Sequence, residues 1–210
     1  PTAFRFLTLL SGRGLLVKDE ESGGYRLGYG VFALGEAARA LNGLAAEARP
    51  VMRELRARLR ETVYLSAREG DYRIDLVQFE GLNSMRRVIM LGEQRPLYEG
   101  APSKVIAAEI ELENLKDIFQ RTAPKEFDFA EFNRELASVR RNGYAEGKNI
   151  RRGGAVSAPI RGRTGDVVAT ITVSAPVEVF LQRRNEMIDG VTEASQRLSI
   201  IKVNKQQQRR

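Results

Sequence analysis

TAFRFLTLLSGRGLLVKDEESGGYRL, residues 2–27, reads as a short amphipathic helix, a glycine break and a tight hairpin. Ala3, Phe6, Leu7 and Leu10 recur at helical spacing and share one face. Pro1, Arg5 and Thr8 occupy the other face, with Thr2 and Phe4 at its margins. Gly12 and Gly14 end the helix. Residues 15–18 and 25–27 are strand-like and flank a turn at 19–24. A helix followed by a hairpin is the second half of a winged helix-turn-helix. There the helix enters the major groove and the hairpin lies near a phosphate strand. Thr2, Phe4, Arg5 and Thr8 on the helix, with Lys18 and Arg26 on the hairpin, are the candidate DNA contacts. An ordinary amphipathic helix packed beside a hairpin would show the same pattern. Asp19, Glu20 and Glu21 would repel phosphate, so the hairpin tip is expected to contribute little.

Outward from this stretch, residues 28–60 read as two helices split by Asn42 and Gly43. The first carries Val31, Leu34, Ala38 and Leu41. The second is expected to begin near Pro50, which suits a first helical turn, and carries Met52, Leu55 and Leu59. Gly28, Gly30 and Gly35 loosen the first helix and permit close approach. The helices suit a dimer seam and suit packing within the monomer equally.

From Thr62 the pattern changes to period two. Val63, Leu65 and Ala67 alternate with Tyr64, Ser66 and Arg68. Residues 73–79 and 86–91 are two further strand-like runs. Ser103 is placed to cap a helix over 104–110. Residues 112–119 and 128–142 are helical, the latter closed by Gly143. Residues 155–161 and 167–174 form a hairpin. A long helix closes the chain, with Met187, Val191, Ala194, Leu198 and Ile201 on one side. The order predicts a mixed α+β fold with an antiparallel sheet.

The 210 residues suffice for one medium domain and a small one. No apolar run reaches the length of a membrane span, and no signal-peptide pattern stands at the start. The chain opens on Pro1 beside a helix, so further residues are expected upstream. There is no cysteine and no histidine. That excludes disulfides, thiolate chemistry and Cys-ligated zinc. It also removes the commonest general base. Carboxylate or Lys chemistry on a carboxylate substrate remains open as an alternative, but no cofactor, metal or enzymatic activity is expected. The formal charge of +7 favours polyanionic partners, although a basic surface also serves solubility alone.

Several stretches together resemble the IclR-type bacterial transcriptional regulators. TAFRFLTLLSGRGLLVKDEESGGYRLG (2–28) is similar to that family's recognition helix and wing. ARP (48–50) with ETVYLS (61–66) is similar to its entry into the sensor sheet. RPLYEGAPSKVIAA (95–108), RRNGYAEG (140–147) and APIRGRTGDVVATITVSAP (158–176) follow in family order.

The resemblance implies three regions. Residues 1–28 are the C-terminal part of a winged helix whose first helices are absent. Residues 29–46 are a linker helix, and 47–210 a GAF-like antiparallel-sheet effector domain. It implies a cytoplasmic regulator that binds double-stranded operator DNA and a small metabolite, such as an organic or aromatic acid. It further implies a homodimer, with tetramers through the sensor parts and no membrane contact. A stand-alone GAF-like sensor is the alternative.

The resemblance also implies an effector site built from Gly100, Ala101, Pro102 and Ser103, Glu146 and Lys148, and Ala155, Thr172 and Ser174 of the hairpin, with Met90 on an apolar wall. The chemistry stands unaided at two places. N–H groups at a helix start hold a carboxylate, helped by the helix dipole. Thr172 and Ser174, two apart on a strand, share one face and offer two hydroxyls. A capped surface helix and ordinary strand residues account for the same features. The loop expected over 146–153 carries Lys148, Arg151 and Arg152, a basic stretch that suits an anionic effector or plain solvation.

Overall fold

The computed structural model describes residues 2–41, 43–149 and 153–207. Its contacts divide the chain into two units, Pro1–Ala46 and Glu47–Arg210. Among the described residues, no helix is long and apolar enough to cross a membrane.

The smaller unit holds α1 (Thr2–Gly12), a two-stranded ribbon of β1 (Leu16–Lys18) and β2 (Tyr25–Leu27), and α2 (Tyr29–Leu41). Gly14 takes a left-handed conformation, φ 68°, which turns the chain out of α1. The ribbon is antiparallel, with Leu16 opposite Leu27 and Lys18 opposite Tyr25. Asp19 closes its tip by accepting from the Glu21 N–H at 3.1 Å and the Ser22 hydroxyl at 2.6 Å. The Ser22 hydrogen bond chiefly holds the Asp19 carboxyl below its ordinary value. The close approach expected of Gly28 is present: a Cβ there would lie 2.2 Å from the Gly14 carbonyl oxygen.

The larger unit begins within α3 (Gly43–Leu59) and continues with β3 (Thr62–Glu69), β4 (Tyr72–Phe79), β5 (Gln94–Pro96) and α4 (Gly100–Ala107). Then come α5 (Leu112–Thr122), α6 (Phe129–Asn142), β6 (Ala145–Asn149), β7 (Gly153–Arg161), β8 (Val167–Ala175) and α7 (Val177–Gln207). The six strands form one antiparallel sheet in the order β5-β4-β3-β8-β7-β6. The last strand thus lies at the centre, paired with β3 and β7.

Period two sorts the sheet residues onto two unlike faces. Val63, Leu65, Val156, Ile160, Ile171 and Val173 are buried on one face. α3 and α7 cover it. A Cβ on Gly154 would lie 2.1 Å from the Phe180 ring of α7, so only glycine lets that helix sit so close. The Arg49, Arg53 and Arg56 guanidinium carbons of α3 stand 5.4–6.0 Å from the Phe79 ring centroid. Met187, Val191, Ala194 and Leu198 make the buried stripe of α7. Ile201 falls where side chains lie outside the described residues, as do Ala38 and Leu41 of α2.

The other face is polar. Tyr64, Ser66, Arg73, Asp75, Ser157, Thr172 and Ser174 are all buried there. α4, α5 and α6 lie over this side and close a second core of Leu97, Ile106, Leu115, Phe119, Phe132 and Leu136. Phe119 is its centre, with the Tyr98, Phe127, Phe129 and Phe132 rings 5.2–6.1 Å away.

Four local expectations need correction. α3 starts at Gly43 and contains Pro50. The strong helix formers between those positions outweigh the one backbone hydrogen bond that proline forfeits. Residues 86–91 are not a strand. There the Gln78 side chain donates to the Ile89 carbonyl and accepts from its N–H, both at 2.9 Å, which replaces a ladder with a single latch. The helix expected over 104–110 spans Gly100–Ala107. The stretch read as a loop over 146–153 begins as strand β6, paired along β7.

Candidate functional site

A cavity of about 760 Å³ lies between the polar sheet face, α4, α6 and the segment joining α5 to α6. Its walls differ in chemistry. Tyr64, Arg73 and Ser174 come from the sheet, with Gly153 and Ala155 from β7. Gly100, Ala101 and Pro102 come from the first turn of α4. Phe127 and Phe132 supply an apolar side, and the exposed carboxylates Glu126, Glu131 and Glu135 rim it.

Buried polar groups of the sheet are tied into a network. Asp75 pairs with Arg73 and accepts from the Ser66 hydroxyl at 2.6 Å. The Arg73 Nε donates to Ser103 Oγ at 3.0 Å, and Ser103 donates to the Pro96 carbonyl at 3.1 Å. The network joins β3, β4 and α4 beneath the cavity. A second chain of hydroxyls runs from Tyr64 through Thr172 to Ser157, with Thr172 Oγ1 donating at 2.9 Å. Burial pushes the Tyr64 phenol up to about 12, so it stays neutral and able to donate.

The first turn of α4 borders the cavity. Gly100 and Ala101 present N–H groups with no intrahelical partner, as at every helix start. Gly100 has φ 80°, a conformation suited to glycine. A Cβ on Gly147 of β6 would lie 2.9 Å from the Ala101 nitrogen, so glycine there lets β6 pack close against the first turn of α4. Lys104 Nζ bridges Glu135 Oε2 at 2.9 Å and the Glu146 carbonyl at 3.2 Å.

Of the residues proposed from sequence, Gly100, Ala101, Pro102, Ala155 and Ser174 come together in the cavity wall. Ser103 and Thr172 lie one layer behind it. Ser103 is inside α4 rather than its cap; the cap is Glu99, which makes no side-chain capping bond. The Glu146 carboxylate is held outside the lining by a bidentate pair with Arg184 at 2.5 and 2.6 Å. Met90 is 67% exposed and outside the lining, while its neighbours Val88 and Ile89 are in it. The Lys148 side chain, Arg151 and Arg152 lie outside the described residues.

Tyr64, Arg73 and Arg87 are cavity residues that the sequence reading missed. Arg73 and Asp75 carried a signal: two charges on one face of a strand, separated by Ile74. Arg87 carried none, since it sits in an irregular segment.

In the smaller unit, Thr2, Phe4, Arg5 and Thr8 are all exposed on α1. The Thr8 hydroxyl donates back to the Phe4 carbonyl at 3.0 Å. Lys18 and Arg26 are exposed on opposite faces of the ribbon, because Lys18 pairs with Tyr25 and Arg26 with Val17.

Comparison with known proteins agrees with this architecture. The model of the family "Bacterial transcriptional regulator IclR C-terminal" matches residues 38–200. The HTH-type transcriptional regulator KdgR of Dickeya chrysanthemi is 28% identical over 207 residues, covering 94% of this chain and 68% of its own. BhcR of Paracoccus denitrificans is 29% identical, covering 94% and 74%. The repressor AllR of Escherichia coli K12 is 28% identical, covering 83% and 68%. Among solved structures, an IclR transcriptional regulator from Alicyclobacillus acidocaldarius superposes with TM-score 0.82 at 22% identity, over 96% and 84% of the two chains. The Thermotoga maritima IclR gives 0.70 at 22%, over 94% and 85%.

The chain belongs to the IclR family of bacterial transcriptional regulators. Its function is transcriptional regulation, and its relatives are named as regulators rather than enzymes.

Proposed function

We propose that this regulator senses a small organic acid in the cavity over the polar sheet face and contacts operator DNA through α1 and the β1–β2 ribbon. The observation that carries the first half is the corner at the first turn of α4, whose Gly100 and Ala101 line the cavity beside Gly147. A carboxylate seated there completes donors that the helix leaves unsatisfied, and the helix dipole favours its charge. Ser174 lines the same space, its hydroxyl donating to the Gly154 carbonyl at 3.2 Å. Phe127 and Phe132 suit the apolar body of such an acid.

The second half rests on exposed Arg5 of α1, on Lys18 and Arg26, and on the basic balance of the chain. The protein acts in the cytoplasm as a homodimer, whose two reading heads then take half-sites about 34 Å apart or a multiple of that. Effector and operator binding are linked, so each changes the other's affinity by the same factor.

Thermal-shift screening of organic acids, with calorimetry on the hits, tests the sensing half. At least one acid raises the melting temperature of the full chain, and Ala101→Pro, which removes an N–H from the corner, abolishes the shift. A screen in which no acid binds overturns it. Operator affinity measured with and without that acid tests the linkage, and equal values refute it.

A further inference from the structure

Four cations stand in the cavity wall: Arg73, Arg87, Arg95 and Lys104. Three have carboxylate partners within the protein. Arg73 pairs with Asp75, Arg95 with Glu93 at 2.6 Å, and Lys104 with Glu135 at 2.9 Å. Arg87 is the exception: among the described residues it makes no ion pair. Its Nε is buried and has no hydrogen-bond partner. A buried guanidinium N–H without an acceptor is costly. The backbone at this residue is not loose, since the Thr62 hydroxyl donates to the Arg87 carbonyl at 2.5 Å. The missing acceptor is therefore sought on the cavity side.

The surroundings fit an anion. The Arg87 Cδ lies 3.5 Å from the place a Gly153 Cβ would take, on the cavity-facing side of β7. Ser174 and the neutral Tyr64 phenol share that wall. Besides Asp75, five carboxylates, Glu99, Glu126, Asp128, Glu131 and Glu135, also line the cavity; all but half-buried Glu99 are exposed at its rim, where solvent and salt screen them. Charge counts for more on the buried floor than on that rim.

Arg87 is also set apart from the α4 corner. Gly147 pairs with Ala155, and Gly153 lies two residues further along β7, so Gly147 and Gly153 are diagonal neighbours on one face. Diagonal positions stand about 7–8 Å apart. One abuts the Ala101 nitrogen and the other abuts Arg87. The floor between them is glycine and alanine, open to a ligand chain.

The geometry points to a dicarboxylate effector, with one carboxylate on the Gly100–Ala101 N–H groups and the second on Arg87. This rests on the organic-acid reading above and adds the second acidic group and the residue that selects it. Arg87 binds that group by charge-assisted hydrogen bonds. A monocarboxylate of equal length leaves the guanidinium unanswered.

Calorimetry on the full chain at neutral pH compares succinate, glutarate and adipate with butyrate, valerate and hexanoate. At least one diacid should bind about tenfold or more tightly than its monoacid partner, the effect of one charged hydrogen-bonding group. Arg87→Gln should abolish that preference, weakening the diacid about tenfold or more relative to its monoacid partner. Arg87→Lys keeps the charge and should retain part of the preference. Melting curves establish that both variants fold. Monoacids that bind while diacids gain nothing overturn the Arg87 assignment alone. So does a diacid preference that survives Arg87→Gln. If neither series binds, the organic-acid reading falls and the dicarboxylate falls with it.

Discussion

Replacing Asp75 by Asn tests whether the polar layer beneath the cavity holds the larger unit together. Asp75 and Arg73 are 2% and 4% exposed. The substitution leaves shape almost unchanged and removes only the charge. The Arg73 guanidinium then stays buried with Ser103, Ser66 and the new amide oxygen as its partners, none of them charged. Breaking a buried pair from one side costs about 3–5 kcal/mol, because the surviving charge has lost its compensation. A folded domain has only about 5–15 kcal/mol to lose. In a unit of this size each kcal/mol lowers the melting temperature by about 2–4 °C, so the variant should melt about 6–20 °C lower. Urea unfolding followed by tyrosine fluorescence and circular dichroism gives the free energy directly. The double variant Arg73→Met, Asp75→Leu removes both charges and should lose less than Asp75→Asn alone, since an apolar pair of similar size leaves no orphan. A loss below about 1 kcal/mol for Asp75→Asn would place the pair with weak surface bridges and refute the argument.

Three other substitutions probe separate parts of the structure. Gly147→Ala drives a Cβ to 2.9 Å from the Ala101 nitrogen, so β6 and α4 must part. Stability should fall by about 1–3 kcal/mol and acid binding should weaken; a variant unchanged in both disproves the close approach. Glu61 is 1% exposed, and burial raises its carboxyl above the ordinary 4.5, with the Asn83 hydrogen bond opposing. The folded state therefore keeps the proton to higher pH than the unfolded chain and loses stability as pH rises past that value. Glu61→Gln should melt above the parent at pH 8, with the gap closing toward pH 4. A parent that is equally stable at pH 8 contradicts this. Phe119→Ala empties the centre of the aromatic cluster and should cost about 3–5 kcal/mol. A Phe119–Phe132 double-mutant cycle should show about 0.5–1.5 kcal/mol of coupling, and zero coupling would mean the rings act independently.

Much of the architecture was legible from local pattern. Helical spacing in α1, α5, α6 and α7 and period two in β3, β4, β7 and β8 are properties of neighbouring residues. So are the Gly143 cap, with φ 76°, and the turn between β7 and β8. The errors share one cause, which is that a distant partner decided the outcome. Residues 86–91 end in an apolar run, Val88 to Leu91, that reads as a strand, yet the Gln78 latch takes the Ile89 backbone groups. Ser103 resembles a cap, yet Arg73 and Pro96 claim its hydroxyl, and the helix starts three residues earlier. β6 is too polar and short to read as a strand alone. It becomes one because β7 offers it an edge.

The chain's own residue order determined most of the element types, the α+β class, the family and the absence of cysteine and histidine chemistry. It also placed the Gly100–Pro102 turn and the last hairpin among the candidate ligand contacts. Only the fold decided which polar groups meet. Tyr64 pairs with Thr172 and Ser66 with Thr170 because β8 inserts beside β3, across more than a hundred intervening residues. That insertion buries Arg73 and Asp75, turns Thr172 toward Tyr64 and brings Ser174 to the cavity. Periodicity states that a residue has a face; what that face meets depends on strand pairing, and pairing is chosen by the burial of the whole sheet.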